Sequence, residues 1–568
     1  MTEIDTMNNR TRPRSRSPFV GFALTLTLLL FGFGGGDTVL LAQSAAGPQR
    51  APEPELLPVP RAECGPGARP ETGIQGRVSR ADHESGLAAQ GLQCNVELVG
   101  QHTQEKGADG TIVGSVAGYK VHRYIDEQGN ECAFYDTSLL PPANAGDGNL
   151  GVRVLDMSDP ENPELSMVLT TGAMVSPHES LIVSETRGLL IAVAGNLSQA
   201  VLPGIVDIYD LNGPLGCLVP VLVSMTPLGI LGHESGLSPD GNTFYATSYS
   251  TGTVTALDIS NPALPVFLGI IEAEAHGMSV SADGTRGYIA IDSNAGNYGF
   301  MIVDLTEYQN REPSPEAPVI SFIDWTGISI PQSTIPLTID GHQYVLESDE
   351  FGPGASRLID ISDEENPFVA SNIRLEVHQQ DIRDANPSIE DDPGVNTPFQ
   401  FAQDYTGHYC NVPTRTDPKI VACGMSVSGL RIFNIEDPCE PYEVAYFTAP
   451  VQTKVFPEGS NWAYSMPTFA SERQEIWYSE SYTGFYAVKL TNDTWPDDIG
   501  EPNDEPHVPC DLRTADAGDG PVAAPNASPS DVSDDGRELP VTGEGQALLA
   551  VVALSLGAAL IRRRVVTR

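Results

Sequence analysis

Apolar and polar residues alternate with a period of two through most of the interior of the chain, the pattern of β-strands. One version of it recurs: alternating residues that end on an acid or amide, followed by a turn rich in Pro, Asn or Asp. The copies end at Asp156, Asp210, Asp258, Asp304, Asp360 and Asn434, and a degenerate seventh is Phe485-Tyr486-Ala487-Val488-Lys489. Most steps fall near 50 residues, and the longest, before Asn434, carries an insertion from His378 to Gly407 rich in Asp and Glu. A β-type unit of that length predicts propeller blades. One unit divides into strands at 236–239, 243–248, 253–259 and 266–271, with Pro239-Asp240-Gly241 as its first turn. The next unit repeats the turn as Ser281-Ala282-Asp283-Gly284, where Asp-Gly supplies the positive φ of a tight hairpin.

Closure is predicted from two leftovers. The seventh copy ends near Leu490 without a fourth strand, and residues 94–100 form a strand without a blade. A ring joins them, covering an edge that would otherwise be open. The expected fold class is therefore all-β, a seven-bladed propeller over residues 91–496 closed by an N-terminal strand.

Composition agrees with this and narrows the partners. The 568 residues hold 55 Gly and 46 Pro, which suit many turns, and 40% hydrophobic residues, enough for a core. Thirty-one basic against 75 acidic residues give a net charge of −44, which excludes nucleic acid bound through a basic surface. Eight cysteines, an even number with no Cys-x-x-Cys pair, fit maturation where disulfides persist.

Both ends read as addresses. Arg10, Arg12, Arg14 and Arg16 precede an apolar run at 19–33, and small residues follow at Ala42, Ser44, Ala45 and Ala46, so 1–44 is expected to be a signal peptide. Residues 45–90 are expected to be a loose extension, and 497–538, acidic and rich in Pro and Ala, a disordered stalk. Residues 539–568 contain Leu539-Pro540-Val541-Thr542-Gly543, an apolar run at 547–561 and then Arg562, Arg563 and Arg564. This ordered triad resembles the signal by which sortase transpeptidases attach proteins to bacterial cell walls. The resemblance implies a membrane helix before processing, the sortase and the wall as partners, and an extracellular, surface-anchored protein. A plain C-terminal membrane anchor is the alternative.

The repeats, with Asp159-Pro160, Asn261-Pro262 and Asp437-Pro438 after the acidic position, resemble the LVIVD-repeat propellers of bacterial surface proteins. That resemblance covers about 400 residues and implies the fold; the activity of those proteins is largely unassigned.

Histidines fall in register with the repeat. His122, His178, His233 and His276 each stand just before a predicted innermost strand, with turn glycines Gly129, Gly188, Gly241 and Gly284 following. His408 stands before the sixth blade's strand at 419–423 and is a further candidate, in competition with His378, while His342 is out of register. Such positions line one rim of a propeller channel, where imidazoles can hold Cu, Zn or Fe or contact a polar ligand. Selenium-binding proteins, propellers with channel-facing histidines, are distantly similar. WD-repeat propellers, by contrast, place a histidine there for a structural bond within the blade. Glu179 and Glu234 follow two of the histidines and are candidate supports for them. Asp292-Ser293-Asn294-Ala295-Gly296-Asn297 spaces oxygen ligands as calcium loops do but lacks their distal Glu, so a β-turn competes with Ca binding.

Among the cysteines, Cys410 and Cys423 flank a predicted hairpin with Cys439 nearby, and Cys94 has Cys132 or Cys64 as a partner. Nucleophile-elbow, Walker, dinucleotide and His-Glu-x-x-His motifs do not occur. The expected function is an exported, surface-anchored propeller that binds a protein or small-molecule ligand, without catalysis. The alternative is a metal-dependent oxidase or hydrolase built on the channel histidines.

Overall fold

The structure, a computed structural model, describes residues 55–511 and the backbone of Gln49–Arg50, apart from segments 104–117, 138–149, 196–203, 230–231, 249–250, 293–297, 326–328, 352–353, 396–403, 452–460 and 482. The signal peptide, the sorting signal and most of the candidate calcium loop lie outside the described residues.

Seven sheets follow one another along the chain, antiparallel except where Gln49–Arg50 pairs parallel to Val319–Trp325. Blade 1 is Val121–Ile125, Glu131–Tyr135, Val152–Asp156 and Glu164–Leu169. Blade 2 is Ile182–Ser184, Leu189–Val193, Gly204–Asp210 and Val221–Gly229, and blade 3 is Gly236–Leu237, Thr243–Ser248, Thr253–Asp258 and Val266–Glu272. Blade 4 runs Ala275–Val280, Arg286–Asp292, Tyr298–Asp304 and Val319–Trp325; blade 5 runs Ile330–Ile339, His342–Glu350, Ser356–Asp360 and Phe368–Ile373. Blade 6 is Tyr409–Asn411, Ile420–Gly424, Leu430–Asn434 and Tyr442–Thr448. Blade 7 has Thr468–Ala470, Glu475–Glu480 and Gly484–Leu490 from the end of the chain, and its outer strand is Val96–His102, paired from Val96↔Leu490 to His102↔Phe485. The ring is closed as the leftover strand predicted.

The repeated acid has a local job. Asp156, Asp210, Asp258, Asp304, Asp360 and Asn434 each accept, through Oδ1, the backbone N–H two residues on, at 2.8–3.0 Å. That bond closes the turn between third and fourth strands, which is why Asp or Asn recurs there. Gly129, Gly188, Gly241 and Gly284 all take positive φ in the first turns. At Gly241, φ is +67° and a Cβ would lie 2.4 Å from Ser184 Oγ, so any side chain there is both strained and blocked.

The core is the set of seams between blades. Trp477 and Phe485 of blade 7 pack with Tyr135 and Leu155 of blade 1, and Tyr245 and Val254 of blade 3 with Met278 and Ile289 of blade 4. Each blade therefore buries both faces, and its strands read as nearly continuous apolar runs.

Two terminal segments depart from expectation. The loose extension of 45–90 is docked from residue 55 onward: Val59, Val78 and Ala88 are buried with blade 5 and blade 6 residues, Cys64 is bonded to Cys94, and Leu92–Cys94 adds a fifth strand to blade 6. The disordered stalk expected from 497 does not begin there. Cys510 is bonded to Cys439, and Asp340 accepts from Asn503 N at 2.7 Å and His507 N at 3.1 Å while His507 Nδ1 lies 2.9 Å from it. Composition measures what a segment can bury by itself, whereas these segments bury against the ring. The acidic insertion is held likewise, with Asp392 buried and paired to Arg77 at 2.6 Å.

All eight cysteines are paired, as Cys64–Cys94, Cys132–Cys217, Cys410–Cys423 and Cys439–Cys510. Cys132 thus bonds Cys217 and joins blades 1 and 2, rather than serving Cys94. Four disulfides are the mark of a chain matured in an oxidising compartment. No helix among the described residues is long and apolar enough to cross a membrane.

Candidate metal centre at the propeller axis

Antiparallel order decides which residues meet at the axis. Innermost strands start at one rim, here called the upper rim, and second strands end there. The sequence preceding an inner strand and the last residue of the second strand are therefore brought together from all blades.

His178 and Glu179 precede the inner strand of blade 2, with φ of 39° and 70°. Two successive non-glycine residues in the left-handed region are costly, and such strain gathers at functional sites. It is held by Ser180, whose Oγ donates to Val193 O at 2.7 Å and accepts from Val193 N at 3.0 Å. The turn aims Glu179 across to blade 3, where its Oε2 lies 2.5 Å from His233 Nδ1. The ring centroids of His178 and His233 are 4.8 Å apart, and those of His233 and His276 4.3 Å. Ligand atoms of His178, Glu179 and His233 all lie within 4.8 Å of one another.

His276 occupies a one-residue bulge between Ala275 and Gly277. Its Nδ1 is 2.9 Å from Pro331 O, and its Nε2 faces Glu350 Oε1 at 3.3 Å. His408 Nδ1 is 2.8 Å from Tyr464 O, and its Nε2 lies 3.2 Å from Glu350 Oε2 and 3.6 Å from Glu179 Oε1. Tyr119, just before the inner strand of blade 1, packs its ring on His178 at 4.9 Å and His408 at 5.4 Å. Beside them Lys120 Nζ donates to Glu234 Oε1 at 2.7 Å, over the Tyr409 ring at 4.3 Å, and Gln332 Nε2 donates to Tyr409 OH at 2.8 Å. Lys120, Glu234 and Tyr409 belong to blades 1, 3 and 6, so this ion pair spans the axis.

The electrostatics follow from burial and pairing. Burial lowers His178 to about 4 and carries His276 well below its ordinary value, with His233 adding to the latter. Burial also opposes the charge on His233 and His408, but Glu179 and Glu350 respectively outweigh it, and both imidazoles end raised. Burial works to raise Glu179, and the surrounding imidazoles, His233 first, hold it well below the carboxylate range instead. Glu234 and Glu350 are raised by burial despite Lys120 and His408. His178 and His233 keep slight exposure while Glu179, Glu350, His276 and His408 are buried.

Of the five sequence candidates, His178, His233, His276 and His408 converge. His122 does not join their ring contacts: it lies inside Val121–Ile125, and its Nε2 donates to Leu181 O at 2.9 Å, a strut between blades 1 and 2. Its place at the rim is taken by Tyr119. His378 caps a short turn, accepting from Leu375 N at 3.1 Å. Of the two candidate supports, Glu179 serves an imidazole and Glu234 serves Lys120. Sequence reasoning missed Glu350, Tyr119, Tyr464 and Gln332. Gln332 sits in a bulge between Pro331 and Ser333 like that of His276, so aligning the fifth inner strand to the fourth would have marked it.

No protein-family model and no curated protein matches the chain. The likeness to LVIVD-repeat propellers thus rests on the repeat residues alone. Among solved structures, the chain is similar over 68% of its length to all of a chain of hydrazine synthase from Kuenenia stuttgartiensis (10% identity, TM-score 0.43). It is similar over 66% of its length to 97% of a periplasmic gluconolactonase from Pseudomonas aeruginosa (13%, 0.41). A chain of a mitotic checkpoint complex is matched over 92% of its length by 69% of this one (9%, 0.39). Identities this low say nothing of activity. What the fold and disulfides define is a seven-bladed propeller of an oxidising compartment.

Proposed function

We propose that the protein is an exported, surface-anchored propeller whose upper rim carries a transition-metal centre, with His178, Glu179 and His233 as its ligands. The observation that carries this reading is the mutual approach of those three donors, within 4.8 Å, two of them on a strained and buttressed turn. Two imidazoles and one carboxylate suit Fe(II) or Zn(II), and three protein ligands leave coordination positions for water or substrate. A metal so held would supply Lewis acidity or a bound hydroxide, in keeping with a hydrolase, while a redox-active ion such as Fe(II) there would suit an oxidase.

Elemental analysis of the full-length protein, purified without chelator, is the test. At least about one tightly held Fe, Zn or Cu per chain is expected, with a loss of about tenfold or more in the His178→Ala/His233→Ala variant. Metal-free protein, with the double variant unchanged in stability, would return the rim to a plain docking surface for a protein or small molecule.

The anchoring half of the proposal is supported by the 539–568 triad and has a separate test. Thr542→Ala should leave the protein in the membrane fraction where the parent is wall-linked. If both fractionate alike, sortase is not involved.

A further inference from the structure

Lys419 and Asn503 meet on the rim opposite the imidazoles, where the C-terminal segment crosses blades 5 and 6. Lys419 stands just before Ile420–Gly424 with a φ of 59°, a left-handed conformation that is costly for a non-glycine residue and gathers at functional sites. Its side chain is only 3% exposed, and its Nζ donates to Asn503 Oδ1. The other end of that carboxamide is fixed as well: Asn503 Nδ2 donates to Asp340 Oδ2 at 2.9 Å and to Glu436 O at 3.0 Å. Asp340 lies in the turn between the first two strands of blade 5, fully buried, and the same Oδ2 has His507 Nδ1 at 2.9 Å. Asp498 completes the set, its Oδ2 3.2 Å from Nζ and its carboxylate more than half exposed.

A primary amine held against a carboxamide is a nucleophile placed to displace ammonia, and a fixed approach of this kind replaces a bimolecular encounter by an intramolecular one. Asp498 takes one proton from the Nζ ammonium and passes it to water. The freed lone pair forms a bond to Asn503 Cγ, a second Nζ hydrogen moves to Nδ2, and the Cγ–Nδ2 bond breaks to release ammonia. Amine plus carboxamide thus gives secondary amide plus ammonia, with no co-reactant. Asp340 serves the departing nitrogen. Burial opposes its charge, but hydrogen bonds from His507 and Asn503 hold its carboxyl down to about 2, so an ionised oxygen faces Nδ2 as that atom turns positive.

We infer that Lys419 and Asn503 are joined by an intramolecular amide bond, with Asp498 as the proton acceptor and Asp340 as the group that holds the leaving nitrogen. This covalent modification is independent of the metal reading. It closes a loop between positions 84 apart and, unlike Cys439–Cys510, keeps the segment around Asn503 on blade 6 under reducing conditions.

Peptide mapping of the full-length protein by mass spectrometry, after denaturation, reduction, alkylation and digestion, is the test. The parent should yield one branched peptide containing Lys419 and Asn503, lighter than its two arms together by one ammonia, about 17 Da. Branching is the decisive readout, because a succinimide at Asn503 loses the same mass without joining Lys419. Lys419→Arg should give two linear peptides at full mass. Asn503→Ala, which only shortens a partly exposed side chain, gives the same readout should the arginine variant fail to fold. Asp340→Asn should lower the cross-linked fraction by about tenfold or more while Cys439–Cys510 still forms. Linear peptides at full mass in the parent overturn the bond. A branched peptide that persists in Lys419→Arg or Asn503→Ala assigns the link to other residues and overturns it equally. Full cross-linking in Asp340→Asn overturns the role given to Asp340.

Discussion

Replacing Arg431 by alanine is expected to lower the stability of the propeller by about 3–5 kcal/mol, the cost of leaving a buried carboxylate without its cation. Arg431 is fully buried in the third strand of blade 6, stacked over the Tyr446 ring at 4.4 Å. Its Nη1 donates to Glu443 at 3.0 Å, its Nη2 to Glu71 at 2.9 Å and its Nε to Ser428 O at 2.8 Å. Glu443 in turn accepts from Gln75 Nε2 at 3.0 Å, and Glu71 from Gly76 N at 3.0 Å. This arginine therefore fastens the N-terminal extension to the ring. Thermal unfolding should show the loss, and limited proteolysis should show new cleavage between residues 55 and 95. Adding Glu71→Gln and Glu443→Gln to Arg431→Met, which refills the volume without buried charge, should recover a large part of the stability. If Arg431→Ala melts like the parent, the extension is not held by this node.

Glu480→Gln is expected to stabilise the protein at alkaline pH and to leave it nearly unchanged at pH 4. Glu480 closes the second strand of blade 7; burial pushes its carboxyl up to about 8, with the Tyr478 hydroxyl, donating at 3.0 Å, opposing the rise. An acid whose folded value lies above its unfolded value of about 4.5 is bound to its proton more tightly in the native state. Stability is thus intact below pH 4.5 and falls as pH rises through 8. The drop approaches roughly 5 kcal/mol once both states are ionised, at about 1.4 kcal/mol for each pH unit of separation. Glutamine keeps the shape and carries no titrating proton, so melting temperature against pH should flatten between 5 and 9. An unchanged slope would assign the alkaline loss to other groups.

How much of this could be read in advance depended on whether a residue's role was local. The acids at the third-strand ends were legible because each closes its own turn, and the closing strand because a ring leaves no other partner for residues 96–102. Histidines 178, 233, 276 and 408 were legible because the repeat carries each to one rim. Glu350 was not: it arrives from a second strand running the opposite way, and only the antiparallel order brings it to the imidazoles. His122 misled because it lies within its inner strand, three residues beyond Tyr119, which occupies the rim in blade 1. The docked ends were misread because Pro- and Gly-rich composition hides polar anchoring. Cys64, Cys510 and Asp340 hold their segments with few buried apolar groups.

The bond from Cys510 to Cys439 also decides how the molecule bears load. Cys439 follows the third strand of blade 6, on the face away from the imidazoles. A pull on the chain beyond Asp511 enters the ring through that covalent link, at an internal blade, rather than along Gly484–Leu490. The seam that closes the circle, where Val96–His102 is held by non-covalent contacts, is left slack while blade 6 takes the tension.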